Sequence, residues 1–396
     1  MNRVLWSVWV MASLISLTVQ AQTDSLAMDT TARTPPKAKT PVFAVSGYVK
    51  YLNTISIPGL SDEWTFDNQV HNRLKLRYQP IAGLTVSIAM RNRLFFGQSV
   101  SRNPLFVAQT TRTLDYVNLG GVLFREQSVL LHSVFDRANV DFQHGHWQVT
   151  VGKQRVNWGK SYVWNPNDIF NAYSFFDFDY EERPGTDAGL IRRYLGTQSS
   201  IEVVGSLGKR GGRGTVAALY KFNRQGTDGQ VLIGKMDSSW VVGAGWAGQL
   251  RDAGLKGEVS YFGPSGNSPG TFVGDVSVDY TMPNTLTFRL EGLVNSHPLR
   301  ADALAFLTQP VTARTLINNS VSVFGAVGYE ITPLVVANLN SIWNIDDRSY
   351  YLNPSVTINL KDNTELLVTA QVLSGRTGSL FSGIGSFVFT RLKWSF

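Results

Sequence analysis

Apolar and polar residues alternate along most of the chain. In HNRLKLRYQP, residues 71–80, Leu74, Leu76 and Tyr78 alternate with Arg73, Lys75 and Arg77. A helical period near 3.6 would scatter these groups around the cylinder, whereas a strand sends successive side chains to opposite faces. The stretch predicts a two-faced strand with one apolar row and one basic row. The same rule recurs in LTVSIAMRNR, where Leu84, Val86, Ile88 and Met90 oppose Thr85, Ser87, Arg91 and Arg93. It recurs again where Phe288 and Leu290 oppose Arg289 and Glu291, and where Val276, Val278 and Tyr280 oppose Asp275, Ser277 and Asp279.

Read from Phe43 onward, the pattern yields eighteen candidate strands: 43–53, 68–79, 84–96, 129–143, 146–157, 187–196, 199–208, 214–223, 229–237, 239–250, 254–263, 271–282, 285–296, 318–330, 334–344, 349–360, 364–373 and 385–396. Tight connections such as 80–83, 251–254, 282–284, 331–333 and 361–363 alternate with mostly longer ones such as 97–128, 158–186, 297–317 and 374–384. Short turns at one end, long loops at the other and an even strand count predict an all-β, transmembrane, antiparallel up-and-down β-barrel of about 18 strands, with 16 as the alternative count. A soluble sandwich also alternates, but it gives no reason for that asymmetry of loops. Closure matters in lipid because each unpaired edge group would cost several kcal/mol. Leu74, Leu76 and Tyr78 are then expected to face lipid and Arg73, Lys75 and Arg77 a watery lumen, since a cation facing lipid near the midplane costs about 2–4 kcal/mol.

Composition narrows the picture. The N-terminal MNRVLWSVWVMASLISLTVQAQ has a cation, an apolar run and a small-residue ending, so residues 1–21 are read as a secretory signal peptide. Residues 22–42, polar and rich in Thr, Ala and Pro, are expected to form a flexible periplasmic tail, and 43–396 the barrel. The chain has no cysteine, which removes disulfide and thiolate-metal chemistry, and no cofactor is called for. Its net charge of +7 is too mild to imply nucleic acid in an exported protein. No apolar run long enough for a membrane helix follows the leader.

Eighteen strands enclose an aqueous channel unless a loop fills it. The inward cations Arg73, Lys75, Arg77, Arg91 and Arg93 are expected to form a basic ladder. Asp141, Asp275, Asp279, Glu291, Asp177, Asp179, Glu181 and Glu182 are expected to form the facing wall, giving a transverse field across the constriction, and Arg289 is expected to line the pore as well. Alternatively these charges pair with one another and fill a crowded lumen. The segment 158–186 is the candidate constriction insert. It carries Trp158, the turn cluster Asn165, Pro166, Asp168, then Phe170 and a run with Asp177, Asp179, Glu181 and Glu182. These acids have no spacing that fits a calcium loop, so no metal is assigned. Trp147, Trp240, Trp246, Tyr351 and Trp394 are read as interfacial girdle residues. His132 lies near Asp136, but nothing completes a hydrolytic site, so the chain is not read as an enzyme.

Two resemblances add to this. Gly152-Lys153-Gln154, Trp158-Gly159 and Asn165-Pro166 with Asp168 and Phe170 resemble a motif of porin-like outer-membrane families of Gram-negative bacteria, related in style to alginate-export and other substrate-selective porins. It covers some 40 residues and implies a channel but no particular solute. FVFTRLKWSF, with Leu392, Trp394 and Phe396 on one face, resembles the C-terminal signal that the barrel assembly machinery recognises. The expected function is an outer-membrane porin-like channel for passive or weakly selective passage of small hydrophilic solutes, anionic or saccharide cargo favoured. The rivals are a plugged barrel serving adhesion or envelope assembly and an outer-membrane hydrolase. Outer-membrane lipid is the surrounding partner; no oligomer interface is legible, and a homo-oligomer stays open.

Overall fold

The computed structural model describes residues 43–59, 63–113, 115–172, 175, 176, 182, 185–208, 214–299 and 311–396. The leader and the tail to residue 42 lie outside these. The chain forms β1 (Phe43–Ile57), β2 (Thr65–Ile81), β3 (Leu84–Gly97), β4 (Gly120–Glu126), β5 (Val129–His144), β6 (Trp147–Gln154), β7 (Thr186–Tyr194), β8 (Ser200–Ser206), β9 (Thr215–Arg224) and β10 (Thr227–Met236). It continues as β11 (Ser239–Leu250), β12 (Ala253–Phe262), β13 (Thr271–Thr281), β14 (Thr287–Asn295), β15 (Val321–Thr332), β16 (Val335–Asn344), β17 (Ser349–Lys361), β18 (Thr364–Ser374) and β19 (Gly385–Ser395).

All pairings are antiparallel, and β1 pairs with β2 on one side and β19 on the other, so the sheet closes on itself as a barrel. Closure removes the open edges that lipid could not satisfy. Each of the eighteen expected strands coincides with a barrel strand within a few residues; 239–250 matches β11 at both ends. At one end the connections are short, such as 82–83, 145–146, 225–226, 251–252 and 362–363; at the other lie 97–128, 155–185, 296–320 and 375–384.

The region after β3 was expected to be loop alone. It contains two short helices, Gln98–Arg102 and Phe106–Thr111, and the strand β4. β4 has a physical reason. The rows of β5 from Ala138 to His144 pair with β6, but β6 leaves the wall at Gln154. The remaining rows, Val129 to Val134, would lack partners on that side, and β4 occupies them. β4 thus continues the line of β6.

Alternation sorts the side chains as expected. On β10, Val231 and Ile233 are exposed on the outside while Leu232 between them is buried within. Tyr78, Phe142, Val151, Val216, Leu290 and Leu392 are likewise exposed, and together such residues form the apolar belt of a transmembrane barrel. A register shift in β5 breaks the rule there: Ala89 pairs with Arg137 but Met90 with Phe135. This bulge gives β5 one extra residue and turns both Asp136 and Arg137 inward, as bulges re-aim side chains.

Much of the interior is not water but a packed core. Val156, Trp158, Val163, Trp164 and Ile169 of the segment after β6 cluster with wall residues Leu190, Val204, Leu219, Val241, Phe262, Leu293 and Ile342. Loop residues Leu316, Ile317, Leu380 and Phe381 close the cluster.

Candidate pore and its insert

The chain leaves the wall at the Gly-Lys-Gln motif. Gly152 has φ 115°, a conformation that side-chain-bearing residues rarely adopt, and a Cβ there would lie 2.3 Å from the Ala138 carbonyl oxygen. Lys153 is buried and pairs with Asp115, from the segment leading to β4, and with Asp187 at 3.5 Å. The Gln154 side-chain amide donates to the carbonyls of Thr150 and Ala188, both at 2.9 Å. The motif therefore fixes the exit point of the insert.

The insert then crosses to the far wall. Trp158 is fully buried, packs edge-on against Phe170 at 4.9 Å, and donates its indole N–H to Glu202 at 3.0 Å. Asn165 to Asp168 form the expected turn, closed by Asp168 N–H donating to the Asn165 carbonyl at 3.1 Å with Pro166 at the second position. Two wall carboxylates hold the backbone around this turn. Glu291 of β14 accepts the N–H groups of Tyr162 and Val163 at 3.1 Å and of Trp164 at 2.7 Å. Glu258 of β12 accepts those of Lys160, Ser161 and Asn167. Buried amides cost several kcal/mol without acceptors, and the two oxygens of each carboxyl group supply acceptors for three of them. Glycines give the insert room: a Cβ on Gly243 or Gly245 of β11 would lie 2.6 or 2.9 Å from the side-chain amide of Asn167.

Beyond the turn the insert reaches β15 to β18. Phe175 packs on Phe324 at 5.3 Å, Phe176 packs on Tyr351 at 4.9 Å, and the Phe176 carbonyl accepts from Gln371 at 3.0 Å. It then returns to the basic side, where Glu182 pairs with Arg73 and Lys75, each at 2.6 Å. The described parts of the insert thus touch the wall on every side of the lumen. Asp177, Asp179 and Glu181 lie outside the described residues.

The ladder of cations is divided by this insert. Arg73 is 1% exposed and pairs with Asp136 at 2.7 Å besides Glu182. Arg93 donates to the Thr110 carbonyl at 3.2 Å and lies 3.2 Å from His132, so His132 belongs to the wall. Arg91 is half-buried, and Arg77 is exposed. Toward the short-turn end Arg77 lines a polar cavity of about 410 Å³ together with Arg137, Arg155 and Arg192. Asp141 shares that cavity, where its carboxylate accepts from Gln148 at 2.7 Å and Thr150 at 2.5 Å. This corrects its expected place on the wall opposite the ladder.

Asp275 and Glu291 do face inward opposite the ladder, but at 2% and 1% exposure they lie under the insert instead of lining open space. Asp279 accepts from the Tyr162 hydroxyl at 2.6 Å, and Arg289 lies 5.1 Å from the Tyr162 ring. Lys256 sits 3.8 Å from the same ring, giving a cation–π contact on the far wall. Burial and the bond to Asp279 hold the Tyr162 hydroxyl above its usual pKa, and burial lowers that of Lys160. Tyr351, read as a girdle residue, is 1% exposed inside the core, whereas Trp147, Trp240 and Trp394 are exposed on the outside. Leu392 and Trp394 face outward, and Phe396 exchanges backbone hydrogen bonds with Gly47 at 2.9 and 2.8 Å.

Sequence reasoning missed Glu258, Arg137, Arg155 and Arg192. The alternation Lys256, Glu258, Ser260 carried a signal for the first. Arg137 was hidden by the bulge, and Arg155 lies just past the end of β6.

No family model matches the chain, and no curated protein sequence matches it. Solved structures do match in fold. OccAB2 from Acinetobacter baumannii aligns over 89% of this chain and 98% of its own, with a TM-score of 0.58 at 6% identity. OccD3 (OpdP) from Pseudomonas aeruginosa aligns over 89% and 91%, at 0.55 and 8% identity. The outer membrane protein OprD from Pseudomonas aeruginosa aligns over 90% and 94%, at 0.54 and 9% identity. With its closed sheet and apolar outer belt, the chain is an outer-membrane β-barrel by fold.

Proposed function

We propose that this barrel is a porin-like channel for small hydrophilic solutes, with anionic and hydroxylated solutes favoured over cations. The observation that carries this reading is the lopsided filling of the lumen. The insert packs an apolar core against β7 to β17, while the polar cavity lies on the side where β2, β5 and β7 present arginines. Charge of one sign along a low-dielectric wall raises the local concentration of the opposite ion. Cations crossing there would meet repulsion that anions do not. Leu392, Trp394 and Phe396 serve as the assembly signal in this reading, and the motif from Gly152 to Phe170 sets the insert in place.

The test is single-channel conductance of the refolded chain in a planar bilayer, with the reversal potential across a KCl gradient. Steady current with a reversal potential on the chloride side supports the channel. The anchoring of the insert by Glu258 and Glu291 also favours a second reading, a plugged barrel that conducts nothing. A folded, silent barrel would establish that one instead.

A further inference from the structure

The apolar belt is interrupted on the outer face of β1, β2, β3 and β5. On β2 the outward row runs from Phe66 to Tyr78, both exposed, and carries Asn68 and Asn72 among Val70, Leu74 and Leu76. Asn72 pairs with Asn92 of β3, which pairs with Ser133 of β5. Asn92 donates to Asn72 at 3.2 Å, and Ser133 donates to Asn92 at 2.6 Å. Nearer the long loops, Asn68 accepts from the Tyr51 hydroxyl at 2.6 Å and the Asn53 amide at 3.0 Å, both on the outer face of β1. Asn72 lies midway between Phe66 and Tyr78. At about 3.3 Å per residue and a tilt of about 40°, each ring is roughly 15 Å from it along the membrane normal, so the amides sit at the middle of the belt. The far wall keeps the rule, with Val276 and Val278 on β13, Leu290 and Val294 on β14 and Val327 on β15 facing out. We infer, independently of the channel reading above, that the outer face of β1 to β5 is where a second copy of this chain docks, amide against amide within the membrane.

At that depth neither water nor lipid tails can bond a side-chain amide, and a polar group left unanswered costs several kcal/mol. The row answers itself only in part. Asn92 gives one N–H to Asn72, and Asn72 gives one to the Tyr48 carbonyl at 3.2 Å, whereas an amide carries two. Asn68 takes part through its oxygen alone. The remaining amide N–H groups of Asn68, Asn72 and Asn92 meet no acceptor among the described residues. Acceptors of the same patch stand beside them: the Asn53 side-chain oxygen and the hydroxyl oxygens of Tyr51 and Ser133. Donors and acceptors thus share one surface, which is complementary to itself. Self-complementarity is what a symmetric contact between identical chains requires, and polar side chains are what hold segments together where burial from water offers no gain. A lipid headgroup would bind at the rim of the belt instead of its middle. The hydroxyl of Ser341, which faces out on β16, shows the contrast: it turns back onto its own wall, donating to the Gly325 carbonyl at 3.1 Å.

The chain has no cysteine, so Asp252→Cys in an exposed short turn supplies one position for a dye. Donor-labelled and acceptor-labelled copies of the refolded chain are mixed in phosphatidylcholine vesicles, and energy transfer is followed as the lipid-to-protein ratio rises. The expected result is transfer that persists on dilution beyond what random encounters in the bilayer give. Asn72→Leu combined with Asn92→Leu keeps the outward face apolar and is expected to need about tenfold more protein per lipid for the same transfer, the scale of one or two polar contacts within a membrane. Asn72→Ser with Asn92→Ser, which stays polar but reaches less far, should weaken association by several-fold and serves if the leucine pair does not fold. Ser341→Leu, on the far wall, should associate like the parent. Retention of the barrel is checked for each variant by its mobility in unheated electrophoresis. Transfer that falls on dilution as random mixing predicts, or a folded Asn72, Asn92 variant that associates as tightly as the parent, would overturn the interface. Association that appears only when lipopolysaccharide is added would assign the row to lipid and overturn it as well. Current is not the readout, so a silent barrel is tested in the same way as a conducting one.

Discussion

The two sides of the lumen are built from the same kind of strand and end in opposite states. On β2, β3 and β5 the inward row is Arg73, Lys75, Arg77, Arg91, Arg93 and, past the bulge, Arg137. On β8 to β11 the inward rows include Val204, Leu219, Leu232 and Val241, buried in the same cluster as the insert, with Glu202 and Gln230 bonded to Trp158 of the insert. Alternation separates lipid from lumen on both sides, but an inward position can face water or protein. The second side differs in a way that can be read: Val203-Val204, Val231-Leu232-Ile233 and Val241-Val242 are apolar on both faces. Such strands meet apolar surroundings on both faces, lipid outside and the insert within. The wall and its insert therefore form one packed unit on that side, where inward carboxylates such as Glu202 and Glu258 are covered and held by the insert.

The strongest way to break the comparison is to remove the insert. Replacing residues 157–171 by a glycine-serine linker of equal length should raise single-channel conductance several-fold while the reversal potential keeps its anion preference, because the basic wall is intact. Unchanged conductance would mean the insert does not narrow the path.

Next in size is the charged side itself. Arg73→Ala leaves Asp136 buried without that counter-ion and should cost about 3–5 kcal/mol, read as a lower urea midpoint in detergent micelles. Arg73→Leu combined with Asp136→Leu should recover most of the loss; no recovery would show that the pair is not what sets the cost.

On the packed side, Glu291→Ala orphans three buried N–H groups, each worth about 1–3 kcal/mol. The prediction is faster proteolysis within 160–167 and flickering current, with Glu291→Gln milder because it keeps an acceptor. An insert as protected as in the parent would count against the clasp. Smallest is Gly245→Ala, which places a methyl against Asn167 and should cost about 1–3 kcal/mol. Hydrogen exchange of the Asn167 amide is the measurement, and Gly292→Ala, where nothing lies within 4 Å of the added carbon, is its control.

Strand positions, the belt and the inward cations were legible because they depend on a period of two and on turn chemistry, both local. The turn Asn165-Pro166-Asn167-Asp168 was legible for the same reason. β4 was not, because it exists only to satisfy rows of β5 that β6 abandons at Gln154, a vacancy created by a segment far along the chain. Glu258 and Glu291 could be placed inward from the pattern, but their task could not. Reading Glu291 as a pore acid assumed that nothing covered it, and the insert does. Tyr351 failed similarly: as an aromatic near a strand end it fits a membrane interface, yet its neighbours Phe175 and Phe176 come from the insert.

By itself the sequence determined an all-β barrel, its eighteen wall strands, the ends that carry turns and loops, and the sign of charge along β2 and β3. Tertiary structure alone decided which inward residues meet water. It sent the insert around the lumen, converted wall carboxylates into clasps for backbone amides, and gathered Arg77, Arg137, Arg155 and Arg192 around one cavity. The physical reason is range. Alternation is fixed by neighbours two residues apart, whereas a carboxylate's partner is fixed by a contact such as Glu291 to Trp164, more than a hundred residues away.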